Sequence, residues 1–545
     1  MGSWRGAVGF HRRRQSRTVP DMRRRHVVDT PSRPVEPGPA GSDRLRWVLA
    51  AILVLAVLVR LPGLFTGLWH DEVMYSWVYF DDPARRAWLL WKDVHPPAYP
   101  LLLWLWSSLF GNHEAVLRLP SLLAGLASLV ITWKLARQFF GGRVAVLATT
   151  LLALSPPHIW YSVENKANML ALCLSVLALW LFARVSEEKL GWGPSIAGAL
   201  ALAAALLTHS YAVATGGTLL VWLGLRAWRE RDQRRPFLLA GGVLLLGWLP
   251  LFLWKSLSQG ISLARPYLRP LDLGELYKLL FVWFPHGNTI RSISPYSRFA
   301  QLFEQPWPYF LVDVAGAVLL VLGLAATFRA ARARVAEGTK VPDPWPHRLL
   351  LLWFVPPLVA GVLISLFVGR FYIERNFLLL LPAFVLLVAV GVDHVGAQKK
   401  RWAAFALAVV LAVAGSLALL VVRREAWTVY KPKPDWRGAA RWFKTEAGGR
   451  GNLGVVVTTP SLEAEFYLPS GRGERPSVTV TDYCRTRGSP LFLARQSGGS
   501  FWLVKNETWL GCWAEAWQRA ASTAGVTPGR ERRFSSLVLQ EFVAE

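Results

Sequence analysis

Residues 143–185 read RVAVLATTLLALSPPHIWYSVENKANMLALCLSVLALWLFARV. Two apolar runs, 143–160 and 167–185, are separated by the short turn YSVENK at 161–166. Crossing a bilayer takes roughly 20 mostly apolar residues. The stretch therefore reads as two antiparallel membrane helices joined by a very short hydrophilic turn. Comparable runs lie on either side, at 47–68, 117–136, 195–210, 211–228, 237–256, 309–329, 348–368, 374–396 and 402–422. That makes about 11 spans and a polytopic α-helical membrane protein.

Composition agrees. Of the 545 residues only 18% are charged and 53% are hydrophobic, with 28 Trp. Soluble domains average about 25% charged, so surface-making residues are scarce. A disordered chain, a collagen-like chain and a single soluble enzyme are all excluded. The net charge of +26 first suggests a nucleic-acid partner. Its basic clusters at 12–14, 23–25, 226–235, 329–334 and 399–401 instead sit between apolar runs, as the flanks of membrane spans. They imply anionic lipid as a neighbour and no nucleic acid. Residues 1–46 hold 11 Arg and four acids with no apolar run, a disordered basic tail and not a signal peptide.

The run 97–110, PAYPLLLWLWSSLF, decides the topology. It is short, begins with prolines and is rich in Trp, which suits an interfacial helix. With the tail inside and 97–110 not crossing, Lys134, Arg137, Arg143, Arg184 and Lys189 face the cytoplasm. So do the 226–235, 329–340 and 399–401 clusters, as the positive-inside bias requires. If 97–110 crossed, every later basic loop would face outward. The loops left outside are 69–116, 161–166, 257–308, 369–373 and everything after 422. The expected setting is a bacterial plasma membrane with the N-terminus cytoplasmic.

Three parts follow: the tail 1–46, a membrane domain 47–422 with long outer loops 69–116 and 257–308, and an outer α/β domain 423–545. In the last, 435–447 reads as a helix with Asp435 as its cap. Strands are expected at 453–459, 477–483, 501–505 and 535–540. Cys484 and Cys512 fall there, where an oxidising compartment makes a disulfide feasible. Cys173 lies in an apolar run and reads as packing. The loop 257–308, with Arg265, Tyr267, Arg269, Trp283, His286, Arg291 and Trp307, fits a partly helical lid.

The sharpest chemical feature is Trp69-His70-Asp71-Glu72, where the chain leaves the first span. Adjacent acids at an interface can simply be solvated loop charges. Other polar groups on the same face argue for more: Asp93-Val94-His95-Pro96-Pro97, Arg118-Leu119-Pro120-Ser121, Ser155-Pro156-Pro157, Glu164-Asn165-Lys166, Thr208-His209-Ser210-Tyr211 and Glu374-Arg375-Asn376. Ionisable groups at span ends suit an interfacial active site. A transporter or lipid flippase, the alternative, should carry them at mid-membrane with repeat symmetry.

The ordered series WHDE (69–72), HPPAY (95–99), RLPS (118–121), SPPHIWYSVENKA (155–167) and RNFLLLLP (375–382) resembles membrane-embedded glycosyltransferases of the GT-C superfold, family 39-like. That group includes protein O-mannosyltransferases and the aminoarabinose transferases that modify lipid A. The resemblance covers about 47–400 and extends loosely to DWRGAA at 435–440. Lys166 stands where arginine is common, and Asn376 where tyrosine is.

The resemblance implies a GT-C-like membrane domain and transfer of a sugar from a polyprenyl-phosphate donor to a lipid, glycan or protein acceptor outside. Asp71 would be the general base, supported by Glu72, and one displacement would invert the anomeric centre. The departing phosphate gathers negative charge and calls for cations. Lys166 and Arg375 are best placed, with Arg118, Arg265, Arg269 and Arg370 next. His70, His95 and Glu164 complete the expected substrate-binding set. Some members hold a divalent ion with a Glu and a His. His95, Glu164 and His286 are candidates, although their spacing matches no short metal signature.

Overall fold

The computed structural model describes residues 39–76, 96–188, 191–259, 271–287, 289, 307–332, 344–367, 374–395, 397–420, 434–448, 453–457, 462–468, 478–482, 500–506, 513–522 and 525–544. The membrane domain is helical. Its elements are α1 (Pro39–Leu58), α2 (His70–Ser76), α3 (Ala98–Phe110), α4 (Glu114–Phe140), α5 (Gly142–Ala153), α6 (Pro156–Ser162), α7 (Ala167–Glu188), α8 (Trp192–Thr208) and α9 (Val213–Arg229). Then come α10 (Arg234–Gly242), a π-helical stretch Val243–Trp248, α11 (Leu249–Gln259), α12 (Pro308–Arg332), α13 (Trp345–Phe367), α14 (Leu381–Asp393) and α15 (Gln398–Leu420).

Among the described residues, seven helices are long and apolar enough to cross a membrane. The bent pair α5–α6 adds an eighth, with a 61° break at Ser155, where Pro156 and Pro157 cannot continue the backbone ladder. The other expected runs are occupied by α1, α8 and α9. The chain is an integral membrane protein. At 13 residues, α3 is only about 20 Å long, too short to span. It buries Tyr99, Leu103 and Ser107 and leaves Leu101, Trp104, Leu105 and Phe110 exposed along its other side.

The bundle is organised around α14, in which every residue from Leu381 to Val392 is buried. It lies against α5, α12, α13 and α15. At its crossing with α12, a Cβ on Gly391 would lie 2.5 Å from the Gly323 nitrogen, and one on Gly323 would run into the Leu387 carbonyl. The two backbones approach as closely as glycine permits, the usual device of packed membrane helices.

Part of the expected lid is core instead. Residues 273–286 form Leu273–Tyr277, a π-helical turn Lys278–Trp283 and Phe284–His286, and Leu279, Val282, Trp283 and Phe284 are buried. Phe284 stacks on Phe384 of α14 at 5.2 Å. The apolar run LLFVWF (279–284) drives this burial. Arg265, Arg269 and Arg291 lie outside the described residues, as do Arg370, Cys484 and Cys512.

The outer domain has α16 (Trp436–Gly448), β1 (Leu453–Val457), α17 (Leu462–Tyr467), β2 (Val478–Asp482), β3 (Ser500–Asn506), α18 (Trp513–Ser522), β4 (Val526–Phe534) and β5 (Leu537–Ala544). The sheet order is β2-β1-β3-β5-β4. β1 is parallel to β2 and β3, while β5 is antiparallel to β3 and β4. Asp435 caps α16, its Oδ1 accepting from Gly438 N at 2.8 Å. Both faces of β3 are covered. Trp502 and Val504 pack with Trp436 and Phe443, while Phe501 and Leu503 pack with Ala516 and Ala520. The strand expected at 535–540 is in fact the return arm of a hairpin, whose turn puts Ser536 at φ +55°. The preceding arm, RERRF (530–534), is too charged to read as a strand.

Gly391→Val should lower detergent-solubilised thermal stability by roughly 1–3 kcal/mol through overpacking. Gly193→Ala, whose Cβ would meet nothing within 4 Å, should leave the melting temperature unchanged.

Candidate active site

The chain leaves α1 through Arg60, which is buried and held by the Ala56 and Ala153 carbonyls at 2.8 and 3.0 Å and by His158 Nδ1 at 2.7 Å. After the turn Leu61–Leu64 it runs to Trp69 and enters α2. The Trp69 carbonyl accepts from Glu72 N and Val73 N, and Glu72 Oε2 accepts in return from Trp69 N at 3.3 Å. That is half of a capping box, and it places two acids in the first turn, where the helix dipole favours them.

Glu72 and Asp71 then part. Glu72 is 0% exposed and paired in a fork with Arg118, Nε to Oε1 and Nη2 to Oε2 both at 2.8 Å. Arg118 gives its remaining N–H groups to the carbonyls of Leu64 (2.9 Å), Thr66 (2.5 Å) and Gly67 (2.9 Å). All five guanidinium donors are thereby used. Asn165, in the turn between α6 and α7, donates its backbone N to Glu72 Oε1 at 2.9 Å and its side chain to the Glu72 carbonyl at 3.2 Å. Tyr99 donates to Asn165 Oδ1 at 3.0 Å, and Ser121 Oγ donates to the Lys166 carbonyl at 3.2 Å. Four of the sequence motifs thus meet in one buried polar knot.

Asp71 faces the other way, with 27% of its side chain exposed. Lys166 Nζ bonds its Oδ2, and Arg375 Nη1 stands 3.8 Å from the same oxygen. Burial pushes the Asp71 carboxyl up, but Lys166 and then Arg375 outweigh it and hold it below the usual carboxylate range. Lys166 also lies over the Trp69 ring at 4.5 Å, and the Trp69 indole donates to Glu164 Oε1 at 3.0 Å. His70 Nδ1 lies 3.4 Å from Glu463 Oε2 of the outer domain. That contact raises the imidazole pKa against the pull of burial.

Of the expected site residues, Asp71, Lys166 and Arg375 come together. Arg118 and Glu72 are joined to each other and closed off, so neither is open to phosphate or acceptor. Glu164 holds Trp69. His286 is fully buried 3.5 Å from Asp313 Oδ1, and Tyr277 donates to the other Asp313 oxygen at 2.6 Å. Among the described residues no three His, Cys, Asp or Glu side chains are grouped to hold a metal ion. His95 lies outside them. Sequence reasoning missed Trp69, Tyr99 and Asn165 as working parts, although all three stood inside quoted motifs.

An apolar cavity of ≈ 340 Å³ opens between α9, α13 and the 3₁₀ turn Glu374–Leu380, and Asn376, the residue after Arg375, lines it. Tyr211 and Asn376 are among its few polar lining residues; Pro356, Ile364 and Phe377 typify the rest.

Residues 94–254 match the family model described as dolichyl-phosphate-mannose-protein mannosyltransferase. Over 431 residues the chain is 26% identical to undecaprenyl phosphate-alpha-4-amino-4-deoxy-L-arabinose arabinosyl transferase 1 of Pseudomonas fluorescens, covering 72% of this chain and 68% of that protein. The fold is similar to the apo crystal structure of ArnT from Cupriavidus metallidurans, with TM-score 0.56, 15% identity and coverage of 92% and 98% of the two chains. The undecaprenyl phosphate-bound structure of the same protein gives a TM-score of 0.52 at 16% identity, covering 91% and 98%. The chain is a membrane glycosyltransferase that shares its fold with these ArnT structures. In this transferase the matched segment carries the RLPS and ENKA motifs, while Asp71 and Arg375 lie outside it.

Because a lone buried carboxylate is costly, Arg118→Met should destabilise the transferase by roughly 3–5 kcal/mol. Arg118→Lys keeps the charge but loses the fork and should fall between Met and wild type in a detergent melting series.

Proposed function

We propose that this enzyme moves a sugar from a polyprenyl-phosphate-linked donor to an acceptor on the extracytoplasmic face, with inversion and with Asp71 as general base. One observation carries the reading: a partly open carboxylate sits between two cations, and the residue after one of them lines an apolar cavity. A lipid-phosphate sugar has the matching parts. Its isoprenoid chain suits the apolar walls around Phe377 and Ile364, and its phosphate suits Lys166 and Arg375. The ArnT structure that holds undecaprenyl phosphate supports the same donor class. The acceptor, a lipid, glycan or protein nucleophile, would approach Asp71 from the opposite side.

The chemistry follows from charge. As the C1–O bond breaks, charge builds on the phosphate, and preorganised cations stabilise it more than they stabilise the bound donor. Asp71 takes the acceptor's proton as the new glycosidic bond forms at C1. Donor binding also alters the base. A phosphate offers Lys166 a second anion, which weakens its hold on Asp71 and raises the basicity of that carboxylate toward the value the transfer needs. Attack opposite the leaving phosphate inverts C1 in one step. Glu72 and Arg118 act by fixing α2, without contact to either substrate. His70, beside the base, faces the outer domain and would line the acceptor's approach.

The test is reconstitution in liposomes with radiolabelled undecaprenyl-phosphate hexoses and pentoses and a panel of lipid, glycan and peptide acceptors. Removal of a general base costs about 100-fold or more, so Asp71→Asn should reduce transfer at least that far. Wild-type rates in that variant overturn the base assignment. Orientation has its own check in a cysteine-free background. Arg532→Cys, in the exposed hairpin, should react with an impermeant maleimide on intact cells. Arg231→Cys, exposed at the other end of the bundle, should react only after permeabilisation. The reverse pattern overturns the proposed sidedness.

A further inference from the structure

The loop from Leu64 to Trp69, which delivers α2, is held from two directions. Arg118 takes the carbonyls of Leu64, Thr66 and Gly67 from the membrane side. The outer domain takes what is left. Arg437 Nη2 donates to the Phe65 carbonyl at 2.8 Å, and Leu68 N donates to the Tyr467 hydroxyl oxygen at 2.8 Å. That hydroxyl donates onward to Glu114 Oε1 at 3.1 Å, and Arg437 Nη1 lies 3.4 Å from the same carboxylate oxygen. Leu68 is fully buried with Val73, Tyr99 and Leu117, and Phe466 and Tyr467 pack against that cluster. Burial pushes the Tyr467 hydroxyl pKa up, so it remains a donor at any working pH.

We propose that Tyr467 is a positioning residue for sugar transfer: one phenol ties the outer domain to the loop that carries the base. The inference rests on the assignment of Asp71 above. Leu68 is three residues from Asp71, and the intervening Trp69 carbonyl starts α2. A shift of Leu68 is therefore passed along a rigid first turn to the carboxylate. The two cations also have anchors outside this loop: although Asn165 bonds Glu72, the Lys166 carbonyl accepts from Ser121 of α4. Lys166 precedes α7, and Arg375 belongs to the turn Glu374–Leu380. Loosening the outer domain displaces the base while leaving the phosphate ligands in place, so it acts on turnover and spares donor binding.

The experiment uses the full-length enzyme in nanodiscs, with the donor that supports turnover in the Asp71 test and with undecaprenyl phosphate as the binding probe. Misplacing a reacting group by about 1 Å costs up to roughly 100-fold. Tyr467→Phe, which removes only the hydroxyl, is expected to lower kcat by about tenfold or more. Donor KM and undecaprenyl phosphate affinity should stay within about twofold of wild type. Glu114→Ala should match it, and Glu114→Gln, which keeps an acceptor for the phenol, should recover most of the loss. That rescue also covers the case in which the Tyr467 variant folds poorly. Wild-type kcat in Tyr467→Phe beside an inactive Asp71→Asn overturns the clamp alone, as does a loss confined to KM or an equal loss in both Glu114 variants. An active Asp71→Asn overturns the base assignment and the clamp with it.

Discussion

The buried fork between Arg118 and Glu72 is the constraint on which the outer face of this enzyme depends. Two charges withdrawn completely from water are tolerable only when every donor and acceptor is satisfied, and here five guanidinium N–H groups all find oxygen. Satisfying them dictates the path of residues 64–67, and the path of that loop dictates where α2 begins. Successive residues of a helix are about 100° apart. Once Glu72 is turned inward, Asp71 is therefore turned toward the open side. The same carboxylate fixes the Asn165 backbone, which delivers the next residue, Lys166, to Asp71. A single ion pair thus orients both Asp71 and Lys166.

Much of this was legible in order but not in role. Hydrophobic runs located the spans because a bilayer demands a fixed length of apolar chain, and the quoted motifs marked the segments that meet at the outer face. Two adjacent carboxylates, however, look alike in a sequence. Only packing separates Glu72, sealed by Arg118, from Asp71, which keeps contact with solvent. Residues 273–286 were misread because charged neighbours on both sides gave a buried apolar stretch the look of a loop. The hairpin arm 526–534 was missed because its exposed strand carries charge where alternation was expected. Tyr467 gave no local signal at all, since its partners are hundreds of residues away, and Arg437 stood only within the loosely matched DWRGAA.

The excess positive charge divides into two populations with different physics. Most of it lies at span ends, where snorkelling side chains keep their charge in water and only orient the protein. Arg226 is the exception among them, buried against Trp222 and Trp345 and paired with Glu187. Lys166 and Arg375 differ in being neighbours of a carboxylate, Asp71. The same residue types orient the protein in one place and, in the proposed transfer, steady the leaving phosphate in the other.

The bond from Leu68 to Tyr467 joins positions 399 residues apart in the chain. A ribosome finishes the motif-bearing helices long before it reaches the phenol that braces them. Until the C-terminal domain has been made and has docked, the loop before Asp71 is held from the Arg118 side alone.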